Sequence, residues 1–203
     1  MTLKSSAIPS SSVIRAGVRD IDAPMRFSWL LPVWLLSAGC HSAGPYGHSR
    51  TYTPLDEEET AASSAKDYDP VMAKRIPAQW KGKPTSVFGV VKSRNEGKSG
   101  AAYLALSVRT LESRNLCDTE DEDTCLVTVS EREHAVLHAQ VKLSGGDELG
   151  QHSVGQGSLV RVIGVIGDDV DPNDGSPVLR ATYYRHWPRN FYATTADREH
   201  MRR

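Results

Sequence analysis

No stretch of this 203-residue chain approaches the roughly 20 apolar residues that a membrane-spanning helix needs. Residues 27–36, Phe-Ser-Trp-Leu-Leu-Pro-Val-Trp-Leu-Leu, give only ten. A surplus of either charge is missing too: 24 Lys+Arg face 25 Asp+Glu, a formal net charge of −1. From Arg75 onward the balance is 17 against 17. Such a neutral stretch has no bulk field to attract phosphate backbones, so nucleic acid is an unlikely partner. Catalytic signatures are also lacking. There is no nucleophile elbow, P-loop, dinucleotide fingerprint or His-Glu-x-x-His motif. The glycines between Gly150 and Gly157 lack the strand-turn-helix context and the Lys-Ser/Thr ending of a phosphate loop. We therefore expect no enzyme, no cofactor and no metal. Cysteine is scarce, with three residues at 40, 117 and 125. An odd number in an exported protein would leave one thiol over.

What is present begins near the N-terminus. Arg15, Arg19 and Arg26 precede the apolar ten, and small residues close it as Leu36-Ser37-Ala38-Gly39-Cys40. A basic flank, a short apolar core and small residues form a secretory signal. The ending resembles the lipobox of bacterial lipoproteins, with Ser37 where Leu is commoner. The resemblance covers residues 25–40. It implies that Cys40 is lipidated, palmitate included, and becomes the first residue of the mature protein. Residues 1–39 are then a signal region, whose true start is expected at Met25. His41 follows the anchor, and the sorting rule known in enteric bacteria then favours the outer membrane, facing the periplasm. With Cys40 lipidated, Cys117 and Cys125 remain as a pair, and export places them where disulfides persist.

Residues 41–68 are rich in Ser, Gly, Ala, Thr and His, carry the acidic run Asp56–Glu59, and show no apolar periodicity. Residues 40–76 read as lipid anchor and flexible tether, with an average reach of roughly 30 Å. Within it, Asp69-Pro70 predicts a helical turn to about Arg75, Asp capping and Pro in the first position. A β-domain is expected over residues 77–192, followed by a frayed polar tail at 193–203.

Short strand-like runs fill that domain: residues 86–92, 103–109, 126–130, 135–143, 159–166 and 178–187. Leu104, Leu106 and Val108 alternate with Tyr103, Ala105 and Arg109; Leu137, Ala139, Val141 and Leu143 alternate with His138, Gln140 and Lys142. Residues 159–166 are nearly all apolar, as in a strand covered on both faces. Turn residues separate the runs at 95–97, 145–147 and 173–175. Ser130–Glu133 also fits a capping box, making residues 131–140 ambiguous between helix and the preferred strand. The expected class is all-β, a small antiparallel barrel of five or six strands. Over residues 85–187 the order resembles an OB-fold, with Gly89 permitting a sharply coiled first strand and Gly157–Gly164 similar to the fourth strand of many such domains. A remoter likeness is to starvation-inducible outer-membrane lipoproteins, through anchor, tether, barrel and a late Tyr-Tyr/Trp-Pro region.

Several features suggest contacts. The acidic loop between Cys117 and Cys125 reads as a solvated hairpin tip, with Ca²⁺ as the rival. A disulfide there would staple a hairpin by roughly 2.5 kcal/mol in the chain-entropy picture. Asp168–Gly175 reads as a hairpin connection that borders the usual OB binding face. His134 and His138 read as solvated surface histidines. Residues 183–192 hold Tyr183, Tyr184, Trp187, Phe191 and Tyr192 with Arg185 and Arg189. Aromatic faces with Arg suit stacking on sugars or a protein partner. Tyr103, Arg109, Tyr184, Arg185, His186, Trp187 and Arg189 are the candidate binding residues. The expected function is a membrane-anchored envelope module for a polysaccharide or protein, with a structural assembly subunit as rival and a nucleic-acid-binding OB-fold third.

Overall fold

The alternating runs close into one barrel. A computed structural model describes residues 44–203; Cys40 and the signal region lie outside the described residues. The elements are α1 (Asp56–Ala62), β1 (Lys66–Asp67), α2 (Pro70–Arg75), β2 (Pro84–Glu96), β3 (Ala102–Arg109), β4 (Leu116–Cys117), β5 (Cys125–Leu126), β6 (Thr128–Val129), β7 (Ala135–Val141), β8 (Leu159–Val170), β9 (Pro177–Trp187) and β10 (Ala193–Thr194). The barrel runs β2-β3-β7-β9-β8, and β8 pairs back onto β2. All of its pairings are antiparallel except β7 with β9. Closure removes the edges that an open sheet of these strands would expose. β1 adds a short parallel extension to β2.

The interior is the face predicted from alternation. Leu104, Leu106, Val108, Leu137, Ala139, Val141 and Leu143 meet Val87, Val91, Val160, Val162, Ile166 and Leu179 there. Two glycines let the strands coil this tightly. A Cβ on Gly89 would lie 2.9 Å from the Leu106 Cβ, and one on Gly164 would lie 2.1 Å from the Arg180 carbonyl oxygen. Gly164 sits where the β8–β9 register shifts, pairing with Ala181 while Ile163 pairs with Tyr183. That bulge changes which face β9 presents. Leu179 and Ala181 face the interior before it; Tyr184 does so after it.

The structure settles the ambiguity at residues 131–140: β7 is a strand. The capped turn at Asp69 also forms, its side chain accepting from the amides of Val71 and Met72. The Cys117–Cys125 disulfide forms within the β4–β5 hairpin, as expected.

Three expectations are corrected. Residues 126–130 are no barrel strand; β5 and β6 form small two-stranded ladders with β4 and β10. The C-terminal residues are not frayed: β10 pairs with β6, and Arg202 exchanges backbone hydrogen bonds with Cys117. Most consequential, residues 44–68 are not a tether. Gly47 bridges to Leu126, the His48 amide donates to the Cys125 carbonyl, and α1 lies against β9. This strap covers the outer face of β2, β8 and β9. A second core forms beneath it from Phe88, Val127, Val129, Leu159 and Trp187, with Tyr46 and Tyr52 packed against them.

Candidate functional site

Two polar constellations follow from this arrangement, one sealed under the strap and one on the opposite part of the barrel wall.

The sealed one centres on Glu58. α1 opens with Asp56, Glu57, Glu58 and Glu59, an acidic first turn that the helix dipole favours. Glu58 alone of these is buried, with no exposed surface. Its carboxylate accepts four hydrogen bonds. Arg161 Nη1 (2.7 Å) and the Tyr52 hydroxyl reach Oε1; Arg185 Nη1 (2.9 Å) and the Leu55 amide (3.1 Å) reach Oε2. Burial opposes this charge, yet the hydrogen bonds from Tyr52, Arg161, Arg185 and Leu55 outweigh it and hold the carboxyl below its usual range. Arg185 also lies over the Trp187 ring, 4.7 Å from its centroid. His48 completes the cluster. Its Nε2 accepts from Trp187 Nε1 and from Arg185 Nη2, both at 3.2 Å, so the ring is neutral with its proton on Nδ1.

This neutral His48 gives the fold a pH dependence. Burial first, and the Arg185 charge second, lower its pKa from 6.5 to about 4. The unfolded chain therefore takes up a proton that the folded one refuses. Stability is full above pH 6.5 and falls as pH drops toward 4, by about 3 kcal/mol over that window. His186, lowered by burial against the opposing Asp147, acts in the same direction. Urea midpoints measured between pH 7.5 and 4 should fall, and the slope should shrink in His48→Gln. An equally steep fall in that variant would remove His48 from the account.

The candidate binding residues of the aromatic segment mostly turn inward. Trp187 has no exposed surface and His186 is buried, with Nδ1 3.0 Å from Asp147 Oδ1. Tyr184 packs against the barrel core, and its hydroxyl donates to Asp147 Oδ2. Arg185 belongs to the Glu58 cluster. The expected stacking platform is thus an inner wall: the strap covers Trp187 and Arg185, while Tyr184 and His186 turn to the barrel core and Asp147. Arg189 stays exposed at a separate depression of about 560 Å³ with Gln156, Asn190, Tyr192 and Asp197. Arg109 is half-buried and donates to the Ser130 carbonyl at 3.3 Å. The structure does not bring these residues together with Tyr103.

Tyr103 belongs to the second constellation. Its ring stacks on His138 across the β3–β7 pair, centroids 5.2 Å apart and 18° from parallel. Its hydroxyl donates to Asp171 Oδ2 at 2.9 Å. Burial, then this contact, pushes the phenol up to about 12. The hairpin between β8 and β9 folds back over this wall as an Asp turn: Asp171 Oδ1 accepts from the Asn173 amide and Asp174 Oδ1 from the Ser176 amide. His138, expected in solvent, is buried, with Nε2 3.0 Å from Asp174 Oδ2; His134 is exposed as expected. The Asn173 amide keeps Asp171 below the usual carboxylate range, helped by Tyr103 and His138; His138 and the Ser176 amide do the same for Asp174.

A groove of about 580 Å³ adjoins this hairpin. Tyr68, Pro70, Ala73, Pro77 and Trp80 line one side, and Asp168, Asp169, Val170 and Asp174 line the other. Sequence reading missed it because its walls come from the capped turn and from a hairpin almost 100 residues later.

The fold and these sites define a small all-β barrel module sealed on one face by its own N-terminal segment. No family model and no curated protein matches the chain. Among solved structures it is similar to a "putative nucleic acid-binding lipoprotein" from Klebsiella pneumoniae, at 16% identity and a TM-score of 0.34, over 66% of this chain and 99% of that one.

Proposed function

We propose that this chain is a lipid-anchored envelope protein whose barrel holds a protein partner, without catalysis, in the groove between α2 and the β8–β9 hairpin. One observation carries the choice of partner. Among the described residues five large hydrophobic side chains are exposed; Val170 (60%) lines the groove, and Val71 (59%) and Ile76 (40%) are chain neighbours of its lining residues Pro70 and Pro77. Clustered exposed apolar residues beside a concavity mark a protein interface more than a sugar site. Asp168, Asp169 and Asp174 outnumber Lys74 and Lys81 in the lining, and Lys81 is paired with Asp168, so the groove offers no basic surface for phosphate, which counts against nucleic acid. The barrel, with its β7–β9 parallel pair, supports the OB-fold-like reading of the sequence, and the hairpin occupies the place from which such barrels commonly bind.

Anchoring rests on the Cys40 signal. From Cys40 to Gly44 there are four residue steps, roughly 14 Å at full extension. A lipid on Cys40 would therefore keep the barrel close against the bilayer, well inside the roughly 30 Å of a free tether. The outer membrane remains the favoured destination by the sorting rule.

The test is photo-crosslinking in the native envelope, with a crosslinking amino acid placed singly at Lys74, Val170 and Leu149, the first two being exposed residues of the groove lining. Leu149 is exposed but outside the groove. A discrete protein adduct from the first two positions and not from the third supports the reading. Adducts from all three alike, or from none, overturn it. Cys40→Ser should release the protein from membranes; retention would remove the anchor.

A further inference from the structure

We propose that the β8–β9 hairpin and β7 form a binding site for a borderline divalent cation of the zinc class, with His138 and Asp171 as ligands and Asp174 orienting the imidazole. This goes beyond the partner groove and is tested without it.

Three observations converge. First, His138, Asp171 and Asp174 each offer a donor atom, and these atoms lie within 4.8 Å of one another. Second, the two ring nitrogens of His138 are treated differently. Nε2 lies 3.0 Å from Asp174 Oδ2, a hydrogen bond. Nδ1 is buried and has no hydrogen-bond partner, in a side chain that is nine-tenths buried. Asp171 Oδ2 stands 3.7 Å from it, too far for a hydrogen bond. Leaving such a nitrogen unsatisfied costs about 1–3 kcal/mol. Third, the surroundings fix the donors. Tyr103 stacks on the imidazole and donates to Asp171 Oδ2, while the Asn173 amide holds Oδ1.

The chemistry follows from that asymmetry. With its Nε2 proton given to Asp174, the ring directs a lone pair from Nδ1 toward Asp171. A carboxylate on the far nitrogen of a metal-bound imidazole is the common way of fixing its tautomer and raising its basicity. An ion about 2.1 Å from both Nδ1 and Asp171 Oδ2 bridges a 3.7 Å gap with a bent angle, as tetrahedral coordination requires. One imidazole and one carboxylate, without thiolate, suit Zn²⁺, Cu²⁺ or Ni²⁺ better than Ca²⁺ or Mg²⁺, which prefer oxygen alone. Water completes the shell. The ion would pin the acidic hairpin to the barrel wall.

The full chain carrying Cys40→Ser, with the Cys117–Cys125 bridge oxidised, removes competing thiols. Titrating it with ZnCl₂ in a calorimeter should show one equivalent bound, and CoCl₂ should give the visible absorption of a four-coordinate centre. Asp174→Asn should weaken Zn²⁺ binding about 10- to 100-fold. His138→Ala and Asp171→Asn should abolish it, and His134→Ala should leave it unchanged. Asp171→Asn can keep the oxygen that accepts from the Asn173 amide, and its amide nitrogen can donate to the Tyr103 hydroxyl in place of the bond that Oδ2 accepts, so its metal-free melting temperature reports whether folding survives. Absence of binding to the parent chain overturns the proposal, as does unchanged stoichiometry and affinity in a folded Asp171→Asn.

Discussion

Glu58→Ala is expected to destabilise the domain by about 3–5 kcal/mol, the usual effect of removing one partner from a buried ion pair. The substitution leaves two guanidinium groups, Arg161 and Arg185, with side chains only 11% and 9% exposed and no counter-charge. It also strips a partner from the Tyr52 hydroxyl and the Leu55 amide. The loss is far larger than a surface glutamate would show; its neighbours Glu57 and Glu59 are exposed and serve as controls. Urea denaturation monitored by tryptophan fluorescence checks this, since Trp187 lies against Arg185. A change below about 1 kcal/mol, the level of a surface ion pair, would mean the cluster is not buried in solution. Glu58→Gln should fall between the two, because it keeps an acceptor and loses the charge.

The second large effect concerns the strap as a unit. A chain beginning at Asp69 would lack residues 44–68. It would expose Phe88, Leu159 and Trp187 and leave both arginines unpaired. Burying each such apolar side chain is worth about 1.5–3 kcal/mol, and the charge term adds the loss expected for Glu58→Ala. The sum is comparable with the whole stability of an ordinary domain, about 5–15 kcal/mol. The truncated chain should therefore show no cooperative unfolding transition and should bind a hydrophobic dye, whereas a chain beginning at Cys40 should unfold cooperatively. A sharp, native-like melt of the truncated chain would show that the strap is an accessory. For the same reason, Trp187→Ala and Arg185→Ala report on stability here and are poor probes of partner capture.

The sequence by itself determined the barrel wall. Alternation at Leu104–Val108 and Leu137–Leu143 depends only on neighbours two residues apart, and the strands sit where it placed them. The run at 159–166, apolar but for Arg161, announced burial on both faces. The Asp69-Pro70 cap is equally local. Cys117 and Cys125, eight residues apart, could pair across any tight hairpin, and they do.

Only the tertiary structure decided what covers the second face. Glu58 meets Arg161 and Arg185 from 103 and 127 residues away, and no local pattern records such a meeting. In isolation Asp56–Glu59 reads as a solvated acidic run, because three of its four members are exposed. The aromatic segment was misleading for the same reason. Composition showed that residues 183–192 could stack on a ligand, but the bulge at Gly164 and the strap turned Trp187 and Arg185 against the protein itself. The site at Tyr103 was half legible: its outward position follows from strand period. Its partners His138, Asp171 and Asp174 come from another strand and from a hairpin whose fold back onto the wall is set by barrel closure. Short-range periodicity therefore fixed which residues face in and which face out. Long-range closure fixed what the outward residues meet.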